Sequence, residues 1–269
     1  MKFAYLILAH DNFSVLNRLI GMLDDSRNDI FIHFDKKLKN LPDINTESSG
    51  LHIIPDRIDV RWGTTSQIKA IYKLLDAAYT FSSYDFFFVI SGTHLPLKNQ
   101  DYIHQYFSKY TGNTVIRRWN SSEGEIDFKL RRIHIGIDNF QSPNRHIKSV
   151  VQLFWRIGMY LQKHLGIRIH KGETFVKADE WVVLTAPHVR HMLDVEHDIQ
   201  KKYRHTFCSD EFYLASELMA FDKEHIIDDQ NILFMHFDAD RPLVIEREEY
   251  VQMMDSPYIF ARKFTDETI

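Results

Sequence analysis

Residues 3–10, Phe3-Ala4-Tyr5-Leu6-Ile7-Leu8-Ala9-His10, lead through an amphipathic stretch at 12–23 into Asp29-Ile30-Phe31-Ile32-His33-Phe34-Asp35. Positions 3–9 are apolar without alternation, the pattern of a strand covered on both faces. Between 12 and 23 the apolar residues Phe13, Leu16, Leu19, Ile20 and Leu23 fall at helical spacing. The second apolar run stops at Asp35-Lys36-Lys37. The three pieces read as a β-α-β unit. Such units build parallel sheets and place functional loops at the carboxyl ends of the strands. His10 and Asp35 both stand at such ends.

The pattern repeats outward. Residues 51–54 read as a short strand, and 65–79 as a helix with Ile68, Ile71, Leu74, Leu75 and Ala78 on its apolar face. Residues 84–90 read as a strongly apolar strand that runs into Ser91-Gly92-Thr93. Residues 1–100 therefore form a nucleotide-type α/β half. Residues 101–269 are less regular. A strand lies within 112–119, a polar loop over 121–127, a helix with aromatic content over 150–165 and a strand over 177–184. Pro187 opens a helix near its first position. Ser209 reads as an N-cap, with Asp210 and Glu211 in the first turn of a helix running to about residue 219. A last strand covers 232–237. No repeat, low-complexity tract or linker divides the chain, so one α/β domain over 1–269 is expected.

Bulk properties narrow the function. The chain has 269 residues, 44% hydrophobic and 26% charged, with a formal net charge of −4. That balance is ordinary for a globular protein and gives no electrostatic case for nucleic acid as a partner. Cys208 is the single cysteine, which excludes an intrachain disulfide and fits a reducing compartment. The 15 His are scattered and none has zinc-ligand spacing with Cys. No run approaches the roughly 18 apolar residues of a membrane span. The opening residues are not read as a signal peptide. Their apolar run lacks a small-x-small cleavage site, and polar His10-Asp11-Asn12 follows at once. A basic region covers 145–171 (Arg145, His146, Lys148, Arg156, Lys163, His164, Arg168, His170, Lys171). It reads as a solvated helix face, or as a patch that touches anionic lipid or a polymeric acceptor.

Several groups have the chemistry of a site. A carboxylate at Glu211 in a first helical turn opposes the helix dipole, which is sufficient reason for its presence. At the mouth of a cleft the same group is a general base. Arg241 and Lys263 flank a C-terminal run closing on Phe260-Ala261-Arg262-Lys263-Phe264, with no glycine-rich phosphate loop nearby. They are solvated cations, or, if they share a cleft, the partners of a departing diphosphate in place of a metal. Asp238-Ala239-Asp240 after an apolar run competes as a manganese site, although it sits late in the chain for one. Trp62-Gly63-Thr64-Thr65-Ser66 is a turn into a helix start, where capping or a phosphate accounts for it. Trp119 and Trp181 are sugar platforms or core.

Together these segments resemble the core-2/I-branching β-1,6-N-acetylglucosaminyltransferases, a family that includes the peptide O-xylosyltransferases. The resemblance runs in order through residues 4–10, Arg18-Leu19, 30–37, Val60-Arg61-Trp62-Gly63 and Ser66. It continues through 84–87, 90–98, Glu180-Trp181-Val182-Val183-Leu184, Ser209-Asp210-Glu211 and 260–264. It implies a GT-A-like single domain with a central, mostly parallel sheet flanked by helices, and inverting transfer from a UDP-sugar without metal or other cofactor. By position it implies Glu211 as catalytic base and Arg241 and Lys263 on the UDP diphosphate. It places His10 and Asp35 on the uridine, Trp181 near the acceptor, and Lys129, Arg131 and Arg132 in a basic acceptor-side stretch.

The chain departs from the family in two places. His94 stands where many members carry an acid, and Ser209 where Pro is usual. Lacking the anchor and disulfides of the animal enzymes, it resembles a bacterial-type, cytoplasmic version. The expected donor is UDP-N-acetylglucosamine, with UDP-xylose as the alternative. The expected acceptor is a glycan or glycolipid of a surface polysaccharide, met at the inner membrane face through 145–171. A manganese-dependent transferase using Asp238 and Asp240, and a glycan-binding protein without turnover, are the other readings.

Overall fold

β1 (Phe3–Ala9) is buried at all seven positions, as a strand with no polar alternation requires. It lies inside a seven-stranded sheet in a computed structural model that describes residues 1–238 and 241–269. In chain order the other strands are β2 (Asn28–Phe34), β3 (Gly50–Ile53), β4 (Phe86–Ser91), β5 (Leu95–Pro96), β6 (Thr114–Ile116), β7 (Arg118–Trp119), β8 (Lys177–Ala178), β9 (Val183–Leu184), β10 (Ile226–Asp228), β11 (Leu233–Phe234), β12 (Phe237–Asp238), β13 (Arg241–Pro242) and β14 (Phe260–Ala261). The helices are α1 (Phe13–Leu23), α2 (Ser66–Phe81), α3 (Gln100–Ser108), α4 (Glu123–Lys129), α5 (Arg145–Leu165), α6 (Ala186–Asp194), α7 (Glu196–Tyr203), α8 (Tyr213–Asp222) and α9 (Arg247–Met253).

The sheet order is β10-β6-β9-β4-β1-β2-β3. β1 is parallel to both β2 and β4, β2 to β3, and β6 to β10. β9 runs antiparallel between β4 and β6. This is the mixed, mostly parallel α/β sheet that the sequence implied. The order reverses between β1 and β4, a switch point that opens a crevice at the carboxyl ends. The ladder continues past those ends. Asp35 N–H donates to Ala9 O at 2.9 Å, and Gly92 N–H to Leu8 O at 2.8 Å. α1 turns Val15, Leu16, Leu19, Ile20 and Leu23 onto the sheet. Truncating one such fully buried leucine to alanine costs about 2–5 kcal/mol.

The structure corrects five local expectations, the first being the last strand over 232–237, which is split into β11 and β12. The polar loop expected at 121–127 is the start of α4: Ser122 Oγ accepts from Glu125 N–H at 3.0 Å. Ser122-Glu123-Gly124-Glu125 has capping-box spacing. The single strand expected over 177–184 is broken into β8 and β9, and Asp179-Glu180-Trp181-Val182 fills the break. Ser209 is not the N-cap of a helix through 210 and 211. Cys208 takes a left-handed conformation (φ 47°), Ser209–Glu211 make a single 3-10 turn, and α8 starts afresh at Tyr213. α5 begins at Arg145, before the expected 150, because Asn144 caps the amides of His146 and Ile147.

Candidate active site

The break between β8 and β9 brings Asp179 against Arg117, which follows β6. The two form an ion pair with both side chains buried. Trp119 Nε1–H donates to Asp179 Oδ1 at 2.8 Å, and Arg117 Nη1–H to Leu233 O at 2.8 Å. The Arg117 guanidinium lies 4.7 Å from the Trp119 ring centroid. Removing one member of such a pair strands a buried charge, at a cost of about 3–5 kcal/mol. Asp179 is thus a fastener that fixes the neighbouring Glu180.

Glu180 accepts a hydrogen bond from the Gln67 amide on α2. Burial, with the charge of Asp210, pushes its carboxyl well above the ordinary range. Burial and the Glu211 charge push Asp210 up as well. Asp210 Oδ1 is buried without a partner among the described residues. Arg262 lies within charge range of Glu180. Burial draws its guanidinium down, and the carboxylates of Glu180, Asp179 and Asp11 oppose that effect. Its guanidinium stands 4.8 Å from the Trp181 ring centroid, and its Nε–H donates to Ser91 Oγ at 3.3 Å. The edge of His94 meets the same indole at 5.0 Å. His94 is held neutral by burial and by Arg262. Its Nδ1 lies 3.1 Å from Ser91 N, 2.9 Å from Ser91 Oγ and 3.1 Å from Ser91 O, so one residue fixes the ring.

Glu211 closes this string of charges. Its Oε2 accepts from Lys129 Nζ at 2.7 Å and lies 3.4 Å from Lys177 Nζ. Glu125 Oε1 binds the same two lysines at 2.8 and 2.6 Å. The Glu211 side chain remains 39% exposed. Beside Lys177 opens a polar cleft of about 380 Å³, also lined by Arg118, Trp119, Asn120, Ser121 and Asp228. The turn carrying Glu211 is anchored from behind. Cys208 N–H donates to Gly63 O at 3.0 Å, and a Cβ on Gly63 would stand 2.7 Å from Phe207 Cε2.

The C-terminal run reaches the same strand ends. Phe264 N–H donates to Thr93 O at 3.1 Å. Asp266 Oδ1 accepts from the first-turn amides of Ser14 and Val15 at 2.9 and 3.1 Å. Arg262 and Lys263 are therefore led past the loop after β4 and toward the one after β1.

The residues singled out in the sequence divide as follows. His10 is exposed at the end of β1, with Nε2 3.4 Å from Asp11 Oδ2. Asp35 is buried at the end of β2 and bound to Lys37 Nζ at 3.0 Å. Lys129 is on Glu211. Trp181 is only 6% exposed and packed by Arg262 and His94, whereas Trp119 is 39% exposed and lines the cleft. Arg131 binds Glu123 at 2.7 Å. Arg132 is buried, binding Asp127 at 2.7 Å and the carbonyls of Gln162 and Ile167 at 3.0 and 2.9 Å, so its fork ties α4 to the end of α5. Arg241 and Asp238 face each other across the β12–β13 hairpin, and both are exposed. Asp240 lies outside the described residues. Residue reasoning passed over Gln67, Glu180, Asp210 and Arg262, although the last three sit inside the segments that carried the resemblance.

The sheet and this crevice define a doubly wound α/β protein with a charged cleft at the carboxyl ends of its strands. The profile of the Core-2/I-Branching enzyme family matches residues 3–255, and the chain belongs to that family. A xylosyltransferase of Ciona intestinalis is 24% identical over 182 residues, covering 65% of this chain and 20% of the relative. The chain thus spans about a fifth of that curated relative's length. Mouse xyloside xylosyltransferase 1, in its apo form, is similar over 99% of both chains at 10% identity and a TM-score of 0.42. A putative glucose-1-phosphate thymidylyltransferase of Bacillus anthracis is similar over 50% of this chain and 60% of its own, at 16% identity and a TM-score of 0.25.

Proposed function

We propose that the chain is an inverting glycosyltransferase that moves N-acetylglucosamine from its UDP donor, in a β-1,6 linkage, to a hydroxyl of a glycan or glycolipid acceptor without a metal. The observation that carries this reading is the placement of Glu211. It is a partly open carboxylate beside a polar cleft, aimed by two lysines, one of which lines that cleft. Membership of the branching-enzyme family supports the transfer chemistry.

In the proposed mechanism Glu211 takes the proton of the acceptor hydroxyl. The oxygen forms its bond to the anomeric carbon on the face opposite UDP, and the bond to UDP breaks with its electron pair on the β-phosphate. Arg241 and Lys263 stabilise that charge. Glu125 shares both lysines and keeps them paired when Glu211 is protonated. Within a single domain, residues 1–100, with His10 and Asp35, form the nucleotide-sugar half, and 101–269 carry the acceptor side, the catalytic base and the C-terminal diphosphate segment. Trp119 offers the acceptor an open aromatic face. Bacterial surface polysaccharide synthesis is the proposed setting. UDP-xylose is the second reading for the donor, favoured by the xylosyltransferase name of the Ciona relative.

The test is calorimetric titration of UDP in EDTA, repeated with Arg241→Ala and Lys263→Ala, followed by UDP release from each of the two donors. Binding in EDTA that both substitutions weaken is the expected result. Binding that appears only with manganese overturns the metal-free reading and moves the diphosphate to Asp238 and Asp240.

A further inference from the structure

The outer face of α5 takes no part in the cleft. Its inner face is fixed to the protein. Trp155 Nε1–H donates to His134 Nδ1 at 3.0 Å, Gln152 Nε2–H to Phe140 O at 3.1 Å, and Gln162 holds both backbone groups of Ile133. On the opposite side, Ile147, Val150, Phe154, Ile157, Leu161 and Leu165 recur every three or four residues and are all exposed, Phe154 by 68% and Leu165 by 69%. Leu153 and Tyr160 widen this stripe. Arg145, Arg156 and Lys163 follow one another at intervals of whole turns, so they line one edge of it. Among the described residues none of the three pairs with a carboxylate.

The charge around the stripe selects its partner. From residue 139 to 172 there is no Asp or Glu, while Arg145, Lys148, Arg156, Lys163, Arg168 and Lys171 are present, in a chain of net charge −4. A contiguous exposed apolar face calls for a covering surface. An acid-free cationic rim repels a second copy of itself and attracts an anionic one. An apolar stripe edged by Arg and Lys, on a helix not apolar enough to cross a membrane, is the geometry of a helix lying in a bilayer interface.

We propose that α5 docks the protein on an anionic phospholipid surface, with its apolar stripe over residues 147–165 among the acyl chains and Arg145, Arg156 and Lys163 at the headgroup phosphates. Trp155 on the inner face packs 6.2 Å from the Phe207 ring. Docking therefore holds Phe207, at the start of the turn that carries Glu211, about one helix diameter (~10 Å) from the headgroups. Lipid binding is measured without donor or acceptor, so it stands or falls apart from the proposed transfer.

The experiment is co-sedimentation with phosphatidylcholine vesicles and with vesicles containing phosphatidylglycerol. The protein is expected on the anionic vesicles only, with binding that fades as salt rises. Combining Arg156→Gln and Lys163→Gln should weaken it about 25-fold, as each cation near an anionic surface contributes about fivefold. Combining Phe154→Ser and Ile157→Ser should abolish it, with the unfolding midpoint unchanged because these side chains face outward. Three results overturn the proposal: binding to neither vesicle, equal binding to both that ignores the Gln substitutions, or a dimer in sedimentation velocity that the Ser substitutions dissolve.

Discussion

Replacing Gly63 by alanine tests how the Glu211 turn is held. Gly63 has φ 75°, and an L-residue there costs about 1–2 kcal/mol. The added methyl would also stand 2.7 Å from Phe207 Cε2 and 3.1 Å from Cδ2. Phe207 has little room to retreat, with Trp62 at 5.3 Å, His134 stacked at 5.4 Å and Phe140 at 5.8 Å between ring centroids. Overpacking of this kind costs a further 1–3 kcal/mol or so. The expected loss is about 2–5 kcal/mol. Gly112 supplies the control. Its φ is 83°, yet nothing lies within 4 Å of its Cβ position, so Gly112→Ala should cost only the strain, about 1–2 kcal/mol. Urea unfolding followed by tryptophan fluorescence measures both, at an unchanged m-value. Equal losses for the two variants would refute the wedge of Gly63 against Phe207.

Three other outcomes follow from the same geometry. Glu211→Gln should lower turnover about 10²–10⁴-fold, the range of a general base, and leave UDP binding intact; a parallel loss of UDP affinity in calorimetry would make Glu211 structural. Burial raises the folded pKa of Glu180 from 4.5 to about 8. Its contribution to stability is therefore fully present below the unfolded value and lost as pH rises through the folded one. Wild type should lose stability across that window relative to Glu180→Gln, and parallel midpoint curves would contradict the burial. Asp266→Ala removes the acceptor for two α1 amides and should cost about 1 kcal/mol in urea unfolding, against no change if the tail is free.

The first half of the fold was legible because local and global signals agree there. Residues 3–9 and 86–90 are apolar throughout, the pattern of a doubly covered strand. The second half was less so, for identifiable reasons. β8 and β9 have two residues each, too short for a period, and the break between them is imposed by the Arg117–Asp179 pair across 62 residues. The turn at Ser209 follows from the left-handed Cys208, a conformation set by its packing on Gly63 and not by its own residue type. Arg132 shows the limit of motif reading. A basic stretch looks the same in sequence whether its guanidinium meets a ligand or, as here, Asp127 and two carbonyls. Glu180 and Asp210 escaped notice as functional groups because their perturbation comes from burial and mutual charge, neither of which a sequence carries.

The helix ends near the crevice bear on how it meets an anion. In doubly wound sheets a pyrophosphate commonly rests on the first-turn amides of the helix after β1. Here two of those amides are taken by Asp266, brought from 252 residues away, while Asn12 Oδ1 accepts the Asp266 amide in return at 3.1 Å. At the start of α2 the Ser66 amide donates to Thr64 Oγ1 at 3.2 Å. These three amides serve the fold. In the proposed function side-chain cations meet the diphosphate, and the chain segment that delivers Asp266 to α1 is the one that carries Arg262 and Lys263. The cap and the cations are thus parts of one device: the tail is anchored at its far end, so its cations are held in place before a ligand arrives. That preorganisation is what electrostatic stabilisation of a leaving group requires, and it gives Asp266, which touches no proposed ligand, a place in the proposed function.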